Sequence, residues 1–381
     1  MKIAYITSSS PYNKLGWSGT YYYTLKALQN QGHDVYCIYD APKISLFKKI
    51  KTKIFKIFNR NLLLERTDSY SKSWANKIIR NLQPETEVIL SLSTIPVAYL
   101  KTDIPIYIYI DDIFEHFRTY YNIKNLHSKD IIKANRIEQR AINNCRKIIS
   151  SSNTTAEAIV RHYKLNEEKL QIVPFGANID YTPNGKDIEK YIASRKQDEL
   201  NILFVGVEFK RKGCDIVLET IKLLHNKGIN VKLHICGLKD INIKLPNYVI
   251  NHGFLNKRID SDKIKLEELY AKSHFLFVPS LAEAYGLVFA EAGAYALPSI
   301  SHNTGGISTI IKNGVNGKLF EIGTTPQIFA DYIIEQFNNY DSYIQLARMS
   351  YKRFIEELNW DIAGKRISQI INSSFYNNQI Q

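Results

Sequence analysis

Twelve short apolar runs interleaved with helical patterns constrain this chain more than any other feature of it. The first six are KIAYITS (2–8), DVYCIYD (34–40), EVILSLS (87–93), IPIYIYI (104–110), RKIISSS (146–152) and LQIVPFG (170–176). The second six are NILFVGV (201–207), VKLHICG (231–237), YVINHGF (248–254), HFLFVPS (274–280), LPSISH (297–302) and GKLFE (317–321). Most are continuous rather than alternating, the pattern of parallel strands covered on both faces. Two βαβ series of about six strands each predict two doubly wound α/β domains. A length of 381 residues suits two cores better than one. The polar stretch ANIDYTPNGKDIEKYIASRKQDE (177–199) reads as the connection. The domains are then expected over 1–178 and 200–358, with a linker over 179–199. No internal sequence repeat relates the two halves.

Composition narrows the function classes. Apolar residues make up 45% of the chain and charged ones 23%, ordinary for a soluble globular protein. No run approaches the ~18 apolar residues of a membrane span. MKIAYITSSS turns polar too quickly for a signal peptide and reads as a first strand. Cys37, Cys145, Cys214 and Cys236 stand far apart, which argues against a zinc site or disulfide framework and predicts a cytoplasmic protein. The net charge of +13 is uneven: residues 1–178 hold 26 Lys and Arg against 15 Asp and Glu. Seven of those basic residues, and no acidic one, lie in KISLFKKIKTKIFKIFNR (43–60). On a helical wheel Leu46, Phe47, Ile50, Ile54, Phe55, Ile57 and Phe58 fall on one half of that segment. It reads either as a helix packed on its own sheet or as an interfacial helix on anionic lipid.

In doubly wound sheets the chemistry lies in loops beyond the carboxyl ends of strands. After the first strand, Gly19 precedes a helical pattern of Tyr22, Leu25 and Leu28 and allows close backbone approach to a phosphate or sugar; a tight turn explains it equally well. His33 in GHDV reads as structural. After the seventh strand, Gly206 is followed by Lys210, Arg211, Lys212 and Gly213, cations placed for a pyrophosphate. After the tenth, LAEAYGLVFAEAGAYALPSISHNTGG (281–306) puts Glu283 just ahead of a helix start at Gly286 and Glu291 within its first two turns. The amides of Gly286, Leu287 and Val288 suit a phosphate. A carboxylate on either side suits the hydroxyls of a ribose or hexose. A solvated helix residue is the plainer reading of Glu291.

EAYGLVFAE resembles the E-x7-E signature of retaining glycosyltransferases of GT-B fold, most closely family 4. WSGTYY (17–22), PFGANID (174–180), FVGVEFKRKG (204–213), GGISTIIKNGVNGKLF (305–320) and LNWDIAGKRI (358–367) resemble, in the same order, one subgroup of that family. The resemblance implies two Rossmann-like domains facing each other across a cleft, with a helix over 359–381 crossing back to the first. It implies that Glu283 lies against the transferred sugar and Glu291 on the ribose diol. Arg211 and Lys212 would meet the pyrophosphate, Gly253 and Phe254 the base, and Gly19 and Tyr285–Val288 complete the donor set. Asp111 matches the subgroup's aspartate, with Asp112 and His116 as alternatives, so Glu283, Asp111 and Lys212 are the catalytic candidates. Two positions depart: Val207 stands where many relatives have arginine, and GGISTII lacks the glutamate common after Gly-Gly.

The expected function is metal-independent, retaining hexosyl transfer from a nucleotide sugar, with no cofactor, to a lipid-linked or cell-surface glycan. The expected place is the cytoplasm or the inner face of an anionic membrane. A GT-B-like epimerase or phosphorylase is the alternative. A nucleic-acid-binding protein, suggested by a pI near 9.3, lacks a reader motif.

Overall fold

The computed structural model describes residues 1–57, 59–238 and 244–376, apart from the side chains at 47–49, 51, 54, 56 and 374–376. Phe47, Lys48, Lys49, Ile54, Lys56 and Phe58 of the basic segment therefore lie outside what is described.

All twelve expected runs form strands, and they make two six-stranded parallel sheets. β1 (Lys2–Ile6), β2 (Asp34–Ile38), β3 (Val88–Ser91), β4 (Ile106–Ile110), β5 (Lys147–Ser150) and β6 (Leu170–Ile172) build the first, in the order β2-β1-β3-β4-β5-β6. β7 (Leu200–Val205), β8 (Val231–Cys236), β9 (Val249–Asn251), β10 (Phe275–Phe277), β11 (Ser299–His302) and β12 (Gly317–Phe320) build the second, in the order β12-β11-β10-β7-β8-β9. The strands are continuous apolar runs because both faces are covered: every residue of β4, odd and even, is buried. Its two buried tyrosines reach carbonyls, Tyr109 that of Val173 at 3.0 Å and Tyr107 that of Ile371 at 3.4 Å. A buried phenol without such an acceptor would cost stability.

The chain divides into two units, Met1–Phe175 with Trp360–Gln381, and Gly176–Asn359. The closing helix Trp360–Tyr376 belongs to the first unit, where it lies on the helix Thr20–Asn30. Gly364 makes the crossing close, since a Cβ there would come within 2.8 Å of the Ala27 carbonyl oxygen. His33, read as structural, bonds Ser368 on the same helix at 2.8 Å.

Residues 179–199, expected as a linker, hold the helix Gly185–Ser194. Asn184 and Asp187 form a capping box at its start, and Ile188 and Ile192 are buried against Ala296 and Ala347 of the second unit. The helix is closed by Arg195, which is 3% exposed. Its guanidinium donates to the carbonyls of Ala271 (3.1 Å), Tyr295 (2.8 Å) and Ala296 (2.7 Å) and to the Tyr343 hydroxyl (3.0 Å). Those carbonyls close the helices Asp260–Lys272 and Leu287–Ala294, whose C-terminal ends carry partial negative charge. One buried cation thus caps two helices, which is why the polar segment is packed rather than loose.

Candidate active site

Within the second sheet the chain moves outward from β7 to β9, then returns to the far side of β7 to lay down β10. β7 and β10 are neighbours at that reversal, and the loops that follow them lie where sheets of this kind bind ligands. Gly206 ends β7 and leaves room for a lysine: a Cβ there would come within 3.0 Å of Lys212 Cγ. Gly213 has φ 70°, and a Cβ would strike the Pro279 carbonyl oxygen at 2.3 Å. The two loops are also tied by the Leu281 amide donating to the Arg211 carbonyl at 2.7 Å.

This pressing together of backbones delivers three charged side chains to one point. The Lys212 ammonium contacts Glu283 Oε2, and both side chains are largely buried. Arg211 Nη1 lies 3.5 Å from the same oxygen and 2.8 Å from the Ala282 carbonyl. Arg211 Nη2 also binds Glu208 at 2.7 Å and holds that carboxyl below its ordinary range. Three residues after Glu283, Gly286 (φ 99°) opens the helix Leu287–Ala294. Tyr285 is 2% exposed, and Leu287 and Val288 are half-buried in the first turn. The amides at this helix start have no acceptor within the helix and carry its partial positive charge.

Glu291 is 5% exposed, not a solvated helix residue. Lys257 Nζ lies 2.5 Å from its Oε1, and the Tyr270 hydroxyl donates to its Oε2 at 3.1 Å. Lys257 belongs to the loop after β9 that also carries Gly253 and the exposed Phe254, so Glu291 and the expected base-binding loop do meet. Val207 is exposed, and the pairing of Arg211 with Glu283 is made without it. Sequence reasoning missed Glu208, Lys257 and Tyr270. Lys257 and Tyr270 are distant in the chain from Glu291, and Glu208, three residues before Arg211, is one charge within a charged turn.

Gly19 and Asp111 belong to the first unit. Trp17 (φ 46°), Ser18 (φ 55°) and Gly19 (φ 95°) form a left-handed run ahead of the helix Thr20–Asn30. Two non-glycine residues in that region store strain, which surrounding packing must hold. The Trp17 ring lies 5.5 Å from that of Phe175, which stacks on Trp360 at 5.8 Å. The WSGT, PFGAN and LNWD motifs, scattered in sequence, therefore converge. Tyr21 bonds Ser8 at 2.8 Å, and its phenol is pushed up by burial and, less, by the charges of Asp111 and Glu65. Asp111 lies just past β4, where its carbonyl accepts the Thr155 hydroxyl at 2.6 Å. Asp112 Oδ1 lies 2.7 Å from His116 Nδ1, while its buried Oδ2 takes no hydrogen bond among the described residues. With Nδ1 committed, Nε2 is the His116 nitrogen left for another group.

Comparison with known proteins agrees with this geometry. Residues 18–181 match the family described as Glycosyltransferase Family 4, and residues 186–353 match Glycosyl transferases group 1. The D-inositol 3-phosphate glycosyltransferase of Paenarthrobacter aurescens is 23% identical over 223 residues, covering 56% of this chain and 54% of that protein. The chain spans about half the length of the curated relatives it matches. Among solved structures, WaaG, a glycosyltransferase involved in lipopolysaccharide biosynthesis, is 16% identical with a TM-score of 0.64, covering 97% of this chain and 99% of that one. Anabaena HepE in complex with UDP-glucose is also 16% identical with a TM-score of 0.64, covering 98% and 100%. On its two matched halves and its two parallel sheets, the chain belongs with the glycosyltransferases of GT-B fold, a family 4 half followed by a group 1 half.

Proposed function

We propose that the protein is a retaining hexosyltransferase that uses a nucleotide-diphosphate sugar, needs no metal, and acts on a lipid-linked or growing surface glycan. The observation that carries this reading is the knot of Arg211, Lys212 and Glu283 beside the start of the helix Leu287–Ala294. Both cations are already paired with carboxylates, so they are held in place and ready to exchange Glu283 and Glu208 for a diphosphate. As the bond to the anomeric carbon breaks, negative charge grows on the leaving diphosphate, where fixed cations and helix amides stabilise it more than they stabilise the intact donor. The acceptor hydroxyl attacks on the face the diphosphate leaves, which preserves the configuration. Glu283 lies against the transferred sugar, Glu291 takes the ribose diol, and the loop of Gly253 and Phe254 receives the base. Asp111, or the pair of Asp112 and His116, serves the acceptor side.

The UDP-glucose complex of HepE supports a uridine donor, and the named role of WaaG supports a surface glycan as acceptor. Peripheral membrane attachment from the cytoplasm has a separate support. On the helix Leu46–Ile57, Leu46, Ile50 and Ile57 share one face and are 73%, 48% and 80% exposed, within a segment rich in lysine. No helix among the described residues is long and apolar enough to cross a membrane.

The test is a melting-point screen against UDP, GDP, ADP and their hexose derivatives, followed by a nucleotide-release assay on the best binder. The expected result is a raised melting point with one base and slow release of its diphosphate from the sugar nucleotide. Absence of any shift with all of them would overturn the reading.

A further inference from the structure

A glutamate on a helix as apolar as LVFAEAGA needs a reason, because a buried carboxylate is destabilising unless it is well paired. The donors around Glu291 are few and specific. Lys257 Nζ is on Oε1 at 2.5 Å and reaches the Asn178 carbonyl at 3.4 Å. The Tyr270 hydroxyl is on Oε2 at 3.1 Å. Tyr270 is 2% exposed, in the last turn of the helix Asp260–Lys272, and its ring stacks on Tyr295 at 5.4 Å and 11°. Burial, and then the charge of Glu291, push its phenol well above the ordinary range, so the hydroxyl keeps its proton and donates. An ionised carboxylate has about four acceptor directions, two on each oxygen. The chain fills one on each, which leaves one on each oxygen for a pair of neighbouring hydroxyls.

We propose that Tyr270 and Lys257 are positioning residues that clamp the Glu291 carboxylate, one donor to each oxygen, so that its remaining acceptor directions meet the vicinal hydroxyls of the donor's ribose. The inference rests on the donor-site reading given above. It goes further by assigning nucleotide affinity to two residues that need not touch the nucleotide. Phenylalanine at 270 keeps the stacked ring and removes only the donor. Methionine at 257 keeps the stem and removes the countercharge.

The experiment is calorimetric titration of the full chain with UDP, GDP and ADP, and with the 2′,3′-dideoxy analogue of whichever binds tightest. Tyr270→Phe and Lys257→Met are each expected to weaken the diol-bearing nucleotide by about tenfold or more, since each loses a hydrogen bond to a charged group. Both variants should leave the dideoxy analogue within about twofold of wild type. In the Glu291→Ala background, Tyr270→Phe should cost nothing further. A merely structural role would weaken both ligands alike, or would add fully to Glu291→Ala, and either result overturns the clamp. So does unchanged affinity in Tyr270→Phe while Glu291→Ala is impaired. If wild type binds none of the three nucleotides, or Glu291→Ala is neutral, the donor-site reading itself falls.

Discussion

Replacing Gly286 by alanine tests whether the geometry at the start of the helix Leu287–Ala294 is what the site depends on. The residue has φ 99°, where an L side chain costs about 1–2 kcal/mol. The added Cβ would also stand 2.8 Å from Phe289 Cδ2, 3.0 Å from its Cε2 and 3.3 Å from Glu283 Cγ. Phe289 is 1% exposed and cannot swing into solvent, so forcing it aside adds about 1–3 kcal/mol. The expected cost is therefore about 2–5 kcal/mol. Gly228 supplies the control in the same unit: its φ is 80°, and a Cβ there meets nothing within 4 Å. Gly228→Ala should cost only the backbone part, about 1–2 kcal/mol. Parallel urea unfolding of the two variants and wild type measures the difference. Calorimetry with the best nucleoside diphosphate measures the consequence, because displaced Glu283 and tilted helix amides should weaken binding only in Gly286→Ala. Equal unfolding midpoints for the two variants, with nucleotide affinity intact in both, would refute the reasoning.

Glu291→Ala should weaken nucleoside-diphosphate binding by about 1.5–3 kcal/mol, read by calorimetry, whereas Glu283→Ala should lower turnover more than affinity. Arg211→Ala and Lys212→Ala should each impair turnover while wild-type activity persists in EDTA; loss on chelation that magnesium or manganese restores would sink the metal-free mechanism. Burial lowers His234 and His274 to about 4 and moves His252 the same way. The unfolded chain then binds these protons first, so stability should be full above about pH 6.5 and fall as pH drops from there toward 4, which melting curves across that range will show. Charge reversal at Lys48, Lys49 and Lys56 should reduce co-sedimentation with anionic vesicles at low salt without lowering the melting point; sedimentation equal to wild type would remove the membrane from the proposal.

The strands were legible because parallel sheets covered on both faces need continuous apolar runs, and IPIYIYI has the length and the β-branched and aromatic content of a buried strand. The helix Gly185–Ser194 was harder to see. Its capping pair, Asn184 and Asp187, and its apolar pair, Ile188 and Ile192, are present, but they stand in a stretch whose polar composition reads as linker. Arg195 carried no signal at all, since its acceptors are backbone carbonyls contributed by helix ends remote in sequence. At the site, Glu283 and Glu291 could be found from their spacing. The burial of Glu291 could not, because Tyr270 and Lys257 come from a different helix and loop. The convergence of Trp17, Phe175 and Trp360 likewise depends on the closing helix returning to the first unit.

That return has a consequence for how the protein is made. The first unit is interrupted after Phe175 and resumes at Trp360, and these two rings stack at 5.8 Å. The second unit is thus an insertion whose entry and exit are neighbours. During synthesis the face of the helix Thr20–Asn30 that receives Gly364 stays uncovered until the helix Trp360–Tyr376 has emerged. Domains of a growing chain fold as units once their residues are available. The first unit is accordingly packed to completion after the inserted unit, which has had its whole sequence exposed and free to fold by then.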